Sequence, residues 1–245
     1  ERLKHKIINL LFKGEARNVK IKTNMLRSVF FKGATILLSF LIIKVTYLSL
    51  DDERLGVWMA ILSVLIWISM FDMGLGNGLK NRLSEALAQE DWKKSKTYVS
   101  TTYALVGILV LVLCIGFTIG IKYSNVTAIF NVNKSFQSEL RYALFWIIIL
   151  YLINFLLSLI NFIALAFQDS AIPDIIRFCT NLAIFIAYYI VVKTKTGSLL
   201  LIGFLYSALT VLVILIASIY LFRKSYRKIA PSFKSINMKF AKSLF

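Results

Sequence analysis

Phe71-Asp72-Met73-Gly74-Leu75-Gly76-Asn77-Gly78-Leu79-Lys80-Asn81-Arg82 closes an uncharged, apolar run that begins at Leu55. The stretch sets a carboxylate inside apolar sequence, glycines at alternate positions just after it, and two cations where a bilayer would end. A carboxylate in hydrocarbon is costly unless it faces a bundle interior or a water-filled cavity. Asp72 is therefore either a protonatable or ion-binding group in such a cavity, or a structural partner for a neighbouring cation or a buried helix end. Gly74, Gly76 and Gly78 mark a backbone that breaks, as a hinge does, or packs very closely. Amides at a new helix start followed by Lys80 and Arg82 would also suit an anion. No strand precedes the run and no Gly-Lys-Ser/Thr end follows it, so a nucleotide-binding loop is not supported. Close packing is the preferred role of the glycines.

The rest of the composition agrees with a membrane. Hydrophobic residues make up 58% of the 245, mean hydropathy is +0.75, and the chain holds 2 prolines. Soluble domains are roughly 45–50% apolar, so the excess must be buried in lipid. The expected class is an all-α polytopic membrane protein. A net charge of +17 would point to nucleic acid on a soluble fold. Here membrane topology accounts for it, and no nucleic-acid partner is expected. Cys114 and Cys179 fall inside apolar spans, which argues against a disulfide framework. No signal-peptide pattern precedes the first span.

Apolar windows of about 20 residues are long enough to cross the bilayer core as helices. Six are expected, at about 28–50, 56–78, 98–121, 142–166, 173–192 and 198–222. They divide the chain into a basic amphipathic segment (1–27), a transmembrane bundle (28–222) and a basic tail or linker (223–245). Eight cations precede the first span, five lie between the second and third, and seven follow the sixth. The opposite side carries only six. By the positive-inside rule, both termini are expected to be cytoplasmic. Leu79, Leu83 and Leu87 recur at helical spacing, an amphipathic pattern suited to the cytoplasmic headgroups. The first 24 residues mix apolar and basic side chains and would also favour an anionic leaflet.

Several residues inside the spans invite a function. Lys32 and Lys44 lie near opposite ends of the first span, where a lysine snorkels to headgroups. Pointed inward, either would bind a pyrophosphate as a point charge. Pro173-Asp174 is an ordinary helix start, and Asp174 can pair with Arg177 at i, i+3. Arg177 and Asn181 share a face and reach deeper, as cavity candidates. Asn154 and Asn161, seven apart, form a polar stripe that serves either as interhelical glue or as a sugar-binding lining. No catalytic set and no metal-ligand spacing emerges. His5 is the lone histidine, and Asp51-Asp52-Glu53 reads as a solvated turn. The expectation is a protein that is not an enzyme.

Residues 55–102 resemble the oligosaccharide flippases of the MOP superfamily, the Wzx-like polysaccharide transporters. The resemblance rests on Gly56-Val57-Trp58, Ser63, Trp67, the 71–81 stretch, Glu85-Ala86-Leu87-Ala88 and Tyr98-Val99-Ser100-Thr101-Thr102. It departs at Lys44, where family members often carry a proline. The resemblance implies the N-terminal six-helix lobe of a larger, two-lobed transporter in the bacterial inner membrane. A second lobe would come from the same chain, a second copy or a partner chain, because alternating access needs one bundle to rock against another. It further implies flipping of an undecaprenyl-pyrophosphate-linked oligosaccharide for O-antigen or related polysaccharide export. Lys32, Lys80, Arg82 and Arg177 would then attract the pyrophosphate and Asn154, Asn161 and Asn181 the sugar, while Asp72 would couple H+ or Na+. A drug or small-cation exporter of the same superfamily, a membrane scaffold and a glycan-modifying enzyme are the alternatives. The first is disfavoured by spans that hold more cations than acids.

Overall fold

A computed structural model describes the backbone of residues 16–70 and 74–243, and the side chains of 23–67 and 74–241. Asp72 and His5 thus lie outside the described residues, as do the cations of the first fifteen positions. The regular structure described is helical throughout: α1 (Ala16–Ser49), α2 (Asp52–Met70), α3 (Leu75–Ala88), α4 (Trp92–Tyr123), α5 (Val126–Phe130), α6 (Gln137–Leu157), α7 (Leu159–Ala166), α8 (Ala171–Thr194) and α9 (Leu199–Arg223), with short 3-10 turns between and after them. Five stretches are long and apolar enough to cross a membrane: Thr23–Ser49, Trp92–Tyr123, Lys134–Ala166, Ala171–Thr194 and Leu199–Arg223. The chain has the build of a multi-pass membrane protein.

The expected span at 56–78 is not a single helix. α2 ends at Met70, and α3 starts at Leu75 after Gly74, whose φ of 77° lies in the left-handed region that only glycine enters without strain. α1 runs unbroken from Ala16 to Ser49, so the described end of the basic segment continues as helix into the expected first span. With Lys44 in place of a proline, nothing removes a backbone donor in the C-terminal half of α1.

α1 is built inside out. Asn24, Ser28, Thr35 and Thr46 are its buried polar residues, while Phe30, Ile36, Leu37, Phe40 and Leu48 on the other faces are exposed. Their spacing follows the 3.6-residue period, so one narrow polar stripe faces the protein. That is the arrangement expected where the surroundings are as apolar as leucine and small polar residues supply the helix contacts. The stripe meets α8, which packs in turn on α9; α9 packs on α6, α6 on α4, α4 on α3, and α3 on α7. α2 joins through a single face on which Val57, Trp58, Ile61 and Leu65 are buried, with the Trp58 ring edge-on to Tyr206 at 5.4 Å.

The expected headgroup-facing stripe of α3 is instead internal. Leu79 and Leu83 are fully buried, with α3 packed against α4 and α7, so this apolar face is satisfied by protein. Two tight turns end α3 and α7. Glu90 (φ 54°) and Gln168 (φ 62°) each close a helix in the left-handed conformation. The Asp91 amide then returns to the Ala86 carbonyl (3.0 Å) and the Asp169 amide to the Ala164 carbonyl (2.9 Å). Both are Schellman closures, which satisfy carbonyls that a helix end would leave unpaired.

At the opposite end of the bundle, the acidic turn does more than meet solvent. Arg54 bridges Asp51 and Glu139, the latter at 2.9 Å, and stacks over the Phe136 ring at 4.9 Å. Glu139 also accepts the Leu199 amide at 2.8 Å, and Glu53 accepts that of Asn133 at 3.1 Å. These bonds tie the starts of α2, α6 and α9 together. Hydrogen bonding from the Arg54 amide, opposed by burial and aided by its guanidinium, holds the Asp51 carboxyl below its usual value.

The region expected as a basic tail is folded against the bundle. Tyr226 and Ile229 are buried, with Tyr226 stacked on Phe167 at 4.6 Å and donating to Asp169 Oδ2 at 3.3 Å. Burial, followed by the Asp169 charge, raises its phenol well above the ordinary tyrosine range.

Gly197, in the turn before α9, lies where any Cβ would overlap the Ser49 main-chain carbonyl, whereas Gly33 in α1 faces open space. Gly197→Ala is expected to lower stability in detergent by about 1–3 kcal/mol through overpacking against backbone. Gly33→Ala should instead raise it by up to about 1 kcal/mol. Paired thermal melts of the two variants check both signs.

Candidate functional site

The polar residues of α8 sit on one stripe because Pro173 fixes the first turn and the following spacing is 3 and 4: Asp174, Arg177, Asn181. Across from them, the apolar hairpin partner is interrupted. Ser158 ends α6 and opens α7, its amide donating to the Asn154 carbonyl (2.8 Å) while its own carbonyl takes the Asn161 amide (2.9 Å). The latter is a three-residue turn, a local tightening of the helix that often marks functional positions. The Ser158 hydroxyl turns back to the Phe155 carbonyl at 2.6 Å.

Between these elements and α9 lies a cavity of about 550 Å³, lined by α6, α7, α8 and α9. Its volume is within the range of small-molecule sites, roughly 300–1,000 Å³. Four of the expected substrate residues, Asn154, Asn161, Arg177 and Asn181, meet in its wall. Asn154 Oδ1 and Asn161 Oδ1 are shut from solvent and accept no hydrogen bond from the described residues. Such buried acceptors are uncommon and call for a donor. Asn181 is partly committed, its Nδ2 donating to Ser39 Oγ of α1 at 3.1 Å. Arg177 is exposed and makes no ion pair among the described residues. Leu159, Ile176, Ile184 and Ile214 supply apolar walls.

The expected Asp174–Arg177 pair is not formed. Asp174, buried at the α1–α8 contact, accepts a hydrogen bond from Ser28 Oγ and lies 3.8 Å from Lys32 Nζ. A helix neighbour at i, i+3 competes here with a partner on another helix, and the partner that also brings a hydroxyl wins. Lys32 is consequently a neighbour of the cavity wall rather than part of its lining. Its side chain is 64% exposed, which fits a snorkelling ammonium that touches Asp174 in passing.

The remaining expected residues lie elsewhere. Lys80 and Arg82 are on α3, outside the cavity, with Arg82 bonded to Glu85 Oε2 at 3.1 Å. Gly76 bears on the cavity indirectly. A Cβ there would overlap the ring of Phe162, a cavity-lining residue of α7, so the absent side chain lets α3 and α7 close together. Gly78 contributes its amide to the Gly74 carbonyl at 2.7 Å in the first turn of α3.

Sequence reasoning missed Tyr151, Ser158, Thr180, Tyr206 and Thr210, all of which line the cavity. Thr180 and Thr210 bond back to the carbonyls of Ile176 and Tyr206, at 2.9 and 2.6 Å. Hydroxyls that satisfy themselves in this way stand out little in an apolar run. The available signal was the i, i+4 spacing of Tyr206 and Thr210 within a largely apolar helix.

Taken chemically, the wall offers a guanidinium without an ion pair and amide acceptors without a donor among the described residues, several hydroxyls and an apolar floor. It suits a ligand with an anionic group, a polyhydroxylated part and a hydrocarbon part. Compared with known proteins, the chain matches no family model, no curated protein and no solved structure.

The Asp174 cluster separates hydrogen bonding from charge. Ser28→Ala, which strips a bond from a buried carboxylate, should cost about 1–3 kcal/mol. Lys32→Met, at an exposed ammonium, should cost no more than about 1 kcal/mol. Thermal unfolding of the two variants in one detergent gives the comparison, and equal losses would contradict the assignment.

Proposed function

We propose that this protein takes part in flipping a lipid-linked oligosaccharide across the bacterial inner membrane, with the cavity of α6–α9 receiving the polar head of the substrate. The observation that carries the reading is the convergence of Arg177 with Asn154, Asn161 and Asn181 in one cavity of largely apolar surroundings. A guanidinium with no ion pair among the described residues matches a pyrophosphate, which it can grip through two parallel bonds. Buried amide acceptors match sugar hydroxyls, which donate. The resemblance of residues 55–102 to Wzx-like flippases of the MOP superfamily supports the same substrate class.

On this reading the five long helices and the broken segment at α2–α3 make up a six-span lobe with both termini cytoplasmic. Cation bias supports that orientation, in which the α7–α8 turn would face the cytoplasm, where the lipid-linked sugar is made. A single lobe has nothing to rock against, so a second lobe, a second copy or a partner chain completes the transport cycle. Asp72 retains its proposed role as the group that binds H+ or Na+. The cation-exporter alternative would need a free acid in the cavity, and Asp174 is already occupied by Ser28 and Lys32.

Binding of undecaprenyl pyrophosphate to the chain in nanodiscs, followed by native mass spectrometry, tests the site. Loss of a charge-assisted bond worth about 1.5–3 kcal/mol predicts an affinity roughly 10- to 150-fold weaker for Arg177→Ala. Lys80→Ala, outside the cavity, should bind within about twofold of the parent, a change of under 0.5 kcal/mol in the affinity scale. Equal affinity of the parent and Arg177→Ala proteins would reject the proposed headgroup site.

A further inference from the structure

α4 is longer than a bilayer is thick. Its 32 residues reach about 48 Å as helix, against a hydrocarbon core of about 30 Å. The uncharged sequence ends at Lys122. About 20 residues of core counted back from there reach Thr102, so Ser100 and Thr101 fall at the level of the headgroup boundary. Trp92 to Thr97 then project into water.

The chain after α9 returns to that level. The Ser232 amide donates to Ser100 Oγ at 3.0 Å, and the Asn237 amide to Thr101 Oγ1 at 3.1 Å. Phe240 packs edge-on against Tyr98 at 5.1 Å. These contacts hold residues 232–240 around α4 as a collar. What the collar presents outward is unlike a solvated tail: Phe233 is 94% exposed and Met238 54% exposed, each followed directly by an exposed lysine, Lys234 and Lys239. Residues 223–245 carry seven cations and no acid.

We infer that this collar is a membrane-interface anchor, in which Phe233 and Met238 enter the acyl–headgroup boundary while Lys234 and Lys239 contact the phosphates of anionic glycerophospholipids. Apolar side chains at the boundary with lysines beside them are the combination that interfacial segments use. Each such lysine adds favourable energy at an anionic surface and loses it beyond a screening length. The α4 hydrogen bonds supply what a free tail lacks, a fixed height relative to the bilayer. This surface is independent of what the cavity binds.

The test is site-directed spin labelling of the full chain in vesicles, with Cys114 and Cys179 first replaced by alanine. Labels at Phe233→Cys and, separately, Met238→Cys are compared with Lys93→Cys, an exposed position of α4 on the aqueous side. In phosphatidylglycerol-containing vesicles, the labels at 233 and 238 should favour collisions with oxygen several-fold over a water-soluble nickel chelate. At 93 the preference should reverse. Two labelled positions keep the test intact if one variant misfolds. Exchange of phosphatidylglycerol for phosphatidylcholine, or Lys234→Gln with Lys239→Gln, should draw the label at 233 toward water. Nickel accessibility at 233 and 238 equal to that at 93 would overturn the anchor. Immersion unaffected by lipid charge and by both lysine changes would overturn its anionic headgroup component.

Discussion

A polar group carried into hydrocarbon has no water to fall back on, so it must be satisfied by another helix. The bundle is organised by that requirement. Asp174 takes the Ser28 hydroxyl, Asn181 bonds Ser39, and the buried Tyr188 hydroxyl donates to the Ile202 carbonyl at 2.9 Å. The first two join α1 to α8, and the third joins α8 to α9. Apolar packing cannot choose these partners, because leucine on leucine is hardly better than leucine on lipid. The polar bonds therefore select the helix neighbours, and the apolar surfaces follow.

The same requirement singles out the cavity. The hydroxyls of Thr35, Thr46 and Thr180 settle on carbonyls of their own helix. Asn154 and Asn161 have no such local outlet, and their side-chain oxygens find no donor among the described residues, beside the rearranged ladder at Ser158. A buried unpaired acceptor costs about 1–3 kcal/mol, and two of them with a break at Ser158 form a concentration of cost. Positions of that kind are where structure gives way to binding.

Much of this was legible from spacing alone. Hydropathy marks the five long apolar helices, and the seven-residue separation of Asn154 and Asn161 survives the break at Ser158 well enough to bring both to one wall. Arg177 and Asn181 follow from an i, i+4 relation on an unbroken helix. The failures share a cause, which is that each depended on a partner distant in sequence. Asp174 was assigned a neighbour on its own helix, but Ser28, 146 residues away, reached it first. Leu79 and Leu83 repeat as a headgroup-facing stripe would, yet α4 and α7 cover them. The docking of residues 232–240 rests on hydroxyls of Ser100 and Thr101, and no local pattern connects the two segments.

Those docked residues also explain why the glycine-rich stretch and the polar run at 98–102 belong together. α3 packs against both α4 and α7, and Gly76 permits its close approach to α7 at Phe162. α4 in turn carries the collar, while Tyr226, just before it, stacks on Phe167 and bonds to Asp169 in the turn that leads into α8. The elements at this end therefore form a closed loop of contacts, from α3 to α7, through the α7–α8 turn to Tyr226, along the collar to α4, and back to α3. The cavity, lined in part by α7 and α8, is walled by helices that this loop joins. A displacement of α7 relative to α8 must strain the Schellman turn at Gln168, the Phe167–Tyr226 stack and the α3 contact together. Gly76 is thus needed for the fit of α3 against α7 that closes this end of the bundle, whereas Gly74 serves the left-handed turn at which α3 begins.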